Sequence, residues 1–477
     1  MTDPRSFTGL KALYHTFGCK LNFAETSTIA AMMAREGLQR VDEGETPDFI
    51  FVNTCSVTEI ADKKCRQLIR SYARRYPKAH IVVTGCYAQL KPDEVAALPG
   101  VDIVAGNDRK LKLVDYVRSL LSGEPQQQGS GEPRQQEPAP GSGLSQGVVL
   151  PQAQAGIFHT TTASIREFSP SCSRGDRTRY FLKVQDGCDY WCTYCTIPMA
   201  RGRSRSATID EIVAQARAVA AEGGKEIVIT GDNIGDFGRR TGAQGLPSGE
   251  TFTDLCRALD AVEGIERYRI SSIEPNLLTD ELIDFVAASE RFMPHFHIPL
   301  QSGSDAALRL MKRRYDTALF RDKVNRVVSA MPDAFIGIDL IVGARGETPE
   351  RFEESYSFIE SLPVSRLHVF TYSERPGTKA LEIDHRVSQE EKHERTRRMI
   401  ALSEGKLADY TSRYLGSVRP ALIEHPRRDG SMAAFTDNYL RVNITNPCPE
   451  LANRIVPVRI SALSPDSVEE TTGEIVL

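Results

Sequence analysis

The stretch that decides the reading is Gln185-Asp186-Gly187-Cys188-Asp189-Tyr190-Trp191-Cys192-Thr193-Tyr194-Cys195. Its cysteines are spaced C-x3-C-x2-C and directly follow a strand-like run at 180–185. Three thiolates on one short loop suit three irons of a cubane [4Fe–4S] cluster and leave the fourth iron open for a substrate or cofactor. Two blander readings compete. Trp191-Cys192-Thr193-Tyr194-Cys195 has the look of a thioredoxin W-C-x-x-C, but that motif has no use for Cys188 and normally opens a helix in a small domain of its own. Structural zinc wants a fourth ligand close by. Cys172 is the candidate for it, in a poorly patterned segment.

Outward from this loop, strand-like runs recur at 180–185, 226–230, 268–272, 295–299, 335–341 and 366–371, with helical patterns between them. Six βα repeats predict an open or partial (β/α)6 barrel over 178–410, short of eight full units. Upstream, residues 1–122 alternate strand and helix patterns: strands at 11–17, 48–54, 80–84 and 101–105, helices at 23–35 and 58–75. That rhythm predicts a parallel sheet with helices on both faces. Residues 123–147 are mostly Gly, Pro and Gln and cannot bury enough to offset ordering, so 123–177 is expected to be a largely disordered, low-complexity linker. From 411 to 477, short alternating runs separated by turn residues predict a small β-barrel.

A second set of cysteines is scattered. Cys19 follows the first strand, Cys55 the second and Cys86 the third. Parallel strands present their C-terminal ends on one edge, where ligands bind in open α/β sheets. Three cysteines distant in sequence can therefore converge on one site, with Gly18 and Gly85 letting the backbone come close to a bulky ligand. The bland alternative is three small buried cysteines of the core. Cys65 and Cys256 lie in helical patterns and Cys448 in the C-terminal segment, and these read as structural.

Composition sets the bounds. The 477 residues are 40% hydrophobic and 26% charged, ordinary for a globular chain of about three domains. No apolar run approaches the ~18 residues needed to span a bilayer, and the N-terminus lacks the apolar core of a signal peptide. The expectation is a cytoplasmic protein with no membrane partner, in which ten reduced cysteines bind metal or do redox chemistry instead of forming disulfides. A net charge of −4 gives no global sign of nucleic-acid binding.

The cysteine loop, its barrel context and its flanks resemble the radical S-adenosylmethionine (SAM) enzymes. With the second cysteine triad and the small C-terminal β-domain, nearly the whole chain outside the linker is similar to the methylthiotransferases. Gly187-Cys188-Asp189, the stretch Ile197 to Ser206 (IPMARGRSRS), His297 to Ser304 (HIPLQSGS) and Tyr372 to Thr378 (YSERPGT) are closest to the MtaB-type tRNA enzymes. The resemblance implies two [4Fe–4S] clusters, one on Cys188, Cys192 and Cys195, the other on Cys19, Cys55 and Cys86. It implies that the first cluster cleaves SAM to a radical that takes hydrogen from adenine C2. The second carries or supplies sulfur, and a second SAM gives the methyl. The implied substrate is N6-threonylcarbamoyladenosine at tRNA position 37, read in the anticodon stem-loop. A low-potential donor such as flavodoxin or ferredoxin would supply electrons. The sibling enzymes, acting on isopentenyladenosine or on a ribosomal-protein aspartate, are the nearer alternatives. A non-catalytic iron–sulfur redox sensor that binds RNA is the alternative of another class.

The resemblance also places Tyr194 near the adenine of SAM. At barrel strand ends, where active groups belong, Gly231, Asn233, Glu274, Gln301 and Ser302 are candidate cofactor contacts, against a bland reading as strand-end caps. Arg201, Arg203 and Arg205 are candidate contacts to RNA or SAM, against a solvated face or internal ion pairs. The segment from 411 resembles a TRAM domain, with Phe435, Tyr439 and Arg441 as candidate RNA contacts. Two departures stand out. This segment has 7 Lys/Arg against 8 Asp/Glu and is not basic, and a turn often written Gly-Phe-Pro-Gly-Glu-Thr is here Gly343-Ala344-Arg345-Gly346-Glu347-Thr348.

Overall fold

A computed structural model describes residues 7–122, 155–175, 177–242, 245–464, 467 and 469–476. The chain forms two compact units. The first runs to Ile165 and takes in Met199–Gly202; the second comprises Arg166–Pro198 and the chain from Arg203 onward.

The first unit is a six-stranded, wholly parallel sheet of β1 (Lys11–Thr16), β2 (Gln39–Arg40), β3 (Phe49–Thr54), β4 (His80–Gly85), β5 (Val101–Ala105) and β6 (Gly156–Phe158). Their order is β2-β1-β3-β4-β5-β6. Helices α1 (Lys20–Arg35), α2 (Glu59–Arg75), α3 (Cys86–Leu90), α4 (Pro92–Ala96) and α5 (Leu113–Ser122) complete it. Central strands bury both faces, so β3 reads Phe-Ile-Phe-Val-Asn-Thr with all six residues buried. One face packs Ile50, Val52, Ile81 and Val83 against Cys65 and Ile69 of α2. The other packs Phe49, Phe51 and Val82 against Ile29 and Met33 of α1 and Val117 of α5. The order of strand addition reverses at β1, with β2 on one side and β3 on the other, and in open α/β sheets such a switch point is where ligands bind beyond the strand ends.

In the second unit, β7 (Ser171–Cys172) pairs antiparallel with β8 (Arg179–Lys183), and β9 (Gln185–Asp186) pairs with β10 (Arg205–Ser206). Strands β11 (Glu226–Thr230), β12 (Arg267–Ile270), β13 (His295–Gln301), β14 (Phe335–Val342) and β15 (Arg366–Thr371) continue from β8 as six parallel strands in chain order. The β12–β13 seam is held by bridges at Tyr268/Phe292 and Ser272/His297. Helices α6 (Ile197–Arg201), α7 (Ile209–Ala221), α8 (Phe252–Asp260), α9 (Asp280–Ala288), α10 (Asp305–Leu310), α11 (Thr317–Ala330) and α12 (Pro349–Glu360) separate the strands. The 24-residue α13 (Gln389–Ser412) follows the last strand. Side chains alternate across each strand: Ile227, Ile229, Ile298, Ile336 and Ile338 pack outward into the helix-facing core. This is the partial (β/α)6 barrel the sequence implies. The variant turn keeps its form, with Glu347 accepting from Gly343 N at 2.8 Å and from Arg395 Nη1 at 2.9 Å.

Strands β16 (Val418–Ile423), β17 (Met432–Thr436), β18 (Arg441–Ile444), β19 (Ile455–Leu463) and β20 (Thr471–Ile475) close a five-stranded barrel in the order β16-β17-β18-β20-β19. It seals the N-terminal end of the larger barrel. Arg267 donates to Phe435 O (3.0 Å) and Pro420 O (2.8 Å), and Arg269 to Thr436 O (2.6 Å) and Asp437 O (2.9 Å). Fully buried Glu226 neutralises this pair, 2.8 Å from Arg269 Nε and 3.9 Å from Arg267 Nη1.

One expectation needs correction. The linker was expected to reach 177, yet Gly156–Phe158 adds a strand to the first sheet, and Ser171–Cys172 adds one to the second. Short apolar pieces such as Gly156-Ile157-Phe158 are too brief to show a period alone, and the sheet edge supplies the partner they lack. Residues 123–154 lie outside the described residues.

Burial alone would push the Glu226 carboxyl up, but the Arg269, Arg179 and Arg267 guanidiniums outweigh it and hold it below the usual range. Its stabilisation is therefore fully present above the ordinary glutamate value of about 4.3 and is lost as pH falls through the depressed folded value. Glu226→Gln strands buried arginines and is expected to cost about 3–5 kcal/mol. Thermal unfolding of the variant should show this deficit at pH 7 and a weaker acid dependence than the parent between about pH 5 and 2.

Candidate functional site

Both cysteine triads sit at C-terminal strand ends. In the first unit, Cys19 caps the start of α1, Cys55 follows β3 and Cys86 opens α3. Two left-handed glycines make this approach possible. A Cβ on Gly18 (φ 97°) would lie 2.9 Å from Cys55 Cβ, and one on Gly85 (φ 99°) would lie 2.4 Å from Thr54 O. Asn22 Nδ2 binds Phe17 O (2.8 Å) and Thr54 O (3.1 Å), fastening the β1 and β3 turns together. Burial pushes the Cys55 thiol up to about 12, and the Cys86 and Cys19 thiols add to the effect.

In the second unit, Tyr190 N donates to Cys188 Sγ (3.3 Å) and Ile197 N to Cys195 Sγ (3.4 Å). Burial raises all three thiols, Cys195 to about 12, and each feels a neighbouring cysteine or acid that raises it further. Thiols placed this way resist ionising until a cation joins them. That donor set fits a thiolate-ligated iron cluster in each triad. Among the described residues, no three His, Cys, Asp or Glu side chains stand close enough to share a single ion. A cubane asks for something else, because each thiolate takes its own iron.

The strand-end residues fall into groups. Gly231 lets its loop meet Gln185, whose Oε1 accepts from Asp232 N (3.0 Å) and Asn233 N (2.7 Å). Asn233 Nδ2 lies 3.9 Å from Cys188 Sγ, and its buried Oδ1 has no hydrogen-bond partner among the described residues. Gln301 ends β13 on a bulge with a left-handed backbone (φ 67°), a strain that marks functional positions. Ser302 is buried and accepts from Ser304 N at 3.2 Å, which is the bland strand-end role. Tyr194 packs beside Met311 and Tyr372.

Glu274 is ion-paired with Arg313, a residue the sequence reading missed. Arg313 is buried; its Nη1 donates to Cys192 Sγ at 3.0 Å and to Tyr194 OH at 3.3 Å, and its Nε to Tyr315 OH at 3.0 Å. Burial raises the Glu274 carboxyl even against this guanidinium. Asn276 was missed as well. Its Nδ2 donates to Tyr190 OH (2.7 Å), and its buried Oδ1 has no hydrogen-bond partner among the described residues. These orphaned acceptors beside the cysteine loop fit a polar ligand such as SAM. The one sequence signal for Asn276 was its place just after a barrel strand.

Most of the candidate RNA contacts are placed elsewhere. Arg201 is 1% exposed and donates to Glu25 (3.0 and 3.1 Å) and Asn22 Oδ1 (2.5 Å), with buried Lys110 on the same carboxylate. Arg205 is buried on Asp186 (3.0 Å) and Glu167 O (2.8 Å). Both take the internal ion-pair alternative; Arg203 alone is exposed. Phe435 is buried under Arg179 (3.8 Å to the ring), and Tyr439 packs on His295 (centroids 4.1 Å). Their rings pack at the barrel floor and, with Arg441, line one pocket there. Arg441 is partly exposed and paired with Glu470 at 3.0 Å. Cys172 belongs to the hydrophobic core.

The comparisons agree with this architecture. Residues 11–106 match the model described as Uncharacterized protein family UPF0004, and residues 182–359 match the radical SAM superfamily. A radical SAM methyltransferase from Kitasatospora setae, TsrM, shares the fold at TM-score 0.54 and 15% identity, over 78% of this chain and 73% of its own. The site and barrel thus define a radical SAM enzyme. The Bacillus subtilis threonylcarbamoyladenosine tRNA methylthiotransferase MtaB is 37% identical over 452 residues, covering 94% of this chain and 93% of its own. The Aquifex aeolicus protein of the same name is 33% identical over 91% of this chain and 96% of its own. A Geobacter metallireducens tRNA-2-methylthio-N(6)-dimethylallyladenosine synthase is 29% identical over 97% and 98%. The chain belongs to the radical SAM tRNA methylthiotransferase family, whose cofactors are SAM and two [4Fe–4S] clusters. No described helix is long and apolar enough to cross a membrane.

Removing Arg313 leaves Glu274 buried without its cation. Arg313→Gln is expected to cost the cluster-free chain about 3–5 kcal/mol, and adding Glu274→Gln should recover most of it. Urea unfolding of the parent, both single variants and the double variant measures the coupling.

Proposed function

We propose that this chain adds a methylthio group at C2 of N6-threonylcarbamoyladenosine 37 in tRNA, in the cytoplasm, with a flavodoxin or ferredoxin as electron donor. The observation that carries the reading is the match over almost the full length, at 33–37% identity, to several bacterial enzymes named for that substrate. When bound, the barrel's cluster and SAM would supply the one-electron chemistry that activates the C2–H bond, and the second cluster would carry or supply the sulfur.

The chain's own part is to hold and position. Cys188, Cys192 and Cys195 hold three irons of one cluster, and Cys19, Cys55 and Cys86 hold those of the other. Asn233 and Asn276 offer carbonyl oxygens to the amino or hydroxyl groups of SAM. Arg313 fixes Glu274 and Tyr194 around the cysteine loop. Gln301 takes a strained backbone at the same strand ends. The sealed floor leaves the C-terminal strand ends as the working face.

The relatives named for dimethylallyladenosine span the chain almost as fully, at 29% identity. The test therefore offers both substrates. Reconstituted protein, reductant and SAM are incubated with tRNA bearing either N6 group, and digests are read by mass spectrometry. The methylthio product on the threonylcarbamoyl nucleoside, with 5′-deoxyadenosine alongside and both lost in Cys192→Ala, is the expected result. Product only on the isopentenyl nucleoside would overturn the substrate assignment.

A further inference from the structure

The inner face of β13–β15 carries a polar row and an exposed ring that the site above leaves unused. In β15, Leu367 and Val369 pack outward into the helix-facing core. Alternation therefore turns His368 and Phe370 inward. His368 stacks on His297 of β13 with centroids 4.9 Å apart and rings 10° from parallel. His297 Nε2 is 2.7 Å from Asp339 Oδ1 on the strand between them. Both side chains of that pair keep some solvent access, at 18% and 19%.

Phe370 is half exposed, at 50%. Its cross-strand partner is Ile341, which packs in the same apolar group as Tyr194 of the cysteine loop. Asp339 and His368 are likewise cross-strand partners, two residues deeper. A half-exposed phenylalanine inside a barrel leaves apolar ring surface in water, a cost that a flat partner stacking on it removes.

An enzyme that acts on a base must take it out of the stack, at a cost of a few kcal/mol. Flipped bases are commonly held between aromatic faces and read along their polar edges. We infer that Phe370 is the stacking platform for the substrate purine, and that His297, Asp339 and His368 beside it read the purine's edge. A carboxylate accepts and an imidazole donates or accepts, the mixture that an adenine edge requires. The inference rests on a modified adenosine in tRNA being the substrate. It assigns a positioning role to a ring that neither the cluster nor SAM explains.

The test uses reconstituted full-length protein with SAM bound and fluorescently labelled anticodon stem-loops. These carry the threonylcarbamoyl adenosine, the isopentenyl adenosine or an abasic site at the target position. Stacking is worth about 1–3 kcal/mol per base, so Phe370→Ala should weaken binding of an adenosine-bearing stem-loop by roughly 5- to 150-fold. Phe370→Tyr should keep most of the affinity, which guards against a folding defect. On the abasic stem-loop, parent and Phe370→Ala should bind alike. An equal loss on the abasic RNA, or no loss on any adenosine, would overturn the assignment. Stacking is indifferent to the N6 group, so a preference for the isopentenyl substrate would sink the threonylcarbamoyl reading alone, and the abasic comparison would still decide Phe370.

Discussion

Thiols crowded together and partly withdrawn from water resist ionising, first through desolvation and then through mutual repulsion, and both cysteine triads carry this cost. Cys55 feels Cys86 and Cys19, and Cys188 feels Cys195 and Cys192. A fold with nothing to gain would let such groups drift apart. Here, rigid devices hold them in place: a glycine pair that a Cβ would break, an Asn22 amide bridging two strand ends, and an arginine on Cys192 Sγ. A cationic iron cluster turns the same arrangement from a cost into a set of bonds. The parallel sheets matter because they gather loop after loop on one edge, so residues far apart in sequence can meet that demand.

The opposite end of the larger barrel solves a different problem. Strand ends there would expose Arg267, Arg269 and Glu226 on an open floor. The small β-barrel covers them with backbone carbonyls and two aromatic rings. Buried ion pairs contribute little net stability, but breaking one is expensive, so they fix where the two barrels dock. The β-barrel has no lysine and seven arginines against eight acids. Arg267, Arg269 and Arg179 of the larger barrel supply cations at this contact, and Arg419 of the β-barrel pairs back with Asp333 at 3.0 Å.

The sequence made the cysteine chemistry legible because one triad is a local spacing and the other marks three successive strand ends. The strand and helix order followed for the same reason: buried parallel strands such as Phe49–Thr54 are apolar throughout. What stayed hidden depends on tertiary contact. Arg313 lies 121 residues from Cys192, and no local pattern joins them. Arg201 and Arg205 looked like a basic strip, since a charge run does not show that Glu25 and Asp186 will be buried against it. Phe435 and Tyr439 looked like RNA-stacking rings because their partners, Arg179 and His295, belong to another domain of the sequence reading. Phe370 was passed over because its exposure shows only once its neighbours are packed.

On the proposed function, each triad holds its own cluster and only the barrel's cluster is open to SAM. Iron-57 Mössbauer spectra of reconstituted protein test it most directly, recorded with and without SAM on two variants, one with each triad changed to alanine. One cluster should remain in each variant. SAM should alter the spectrum when Cys188, Cys192 and Cys195 remain, and leave it unchanged when Cys19, Cys55 and Cys86 remain. A SAM response from the latter variant, or loss of all iron from a folded variant that keeps the barrel triad, would contradict it.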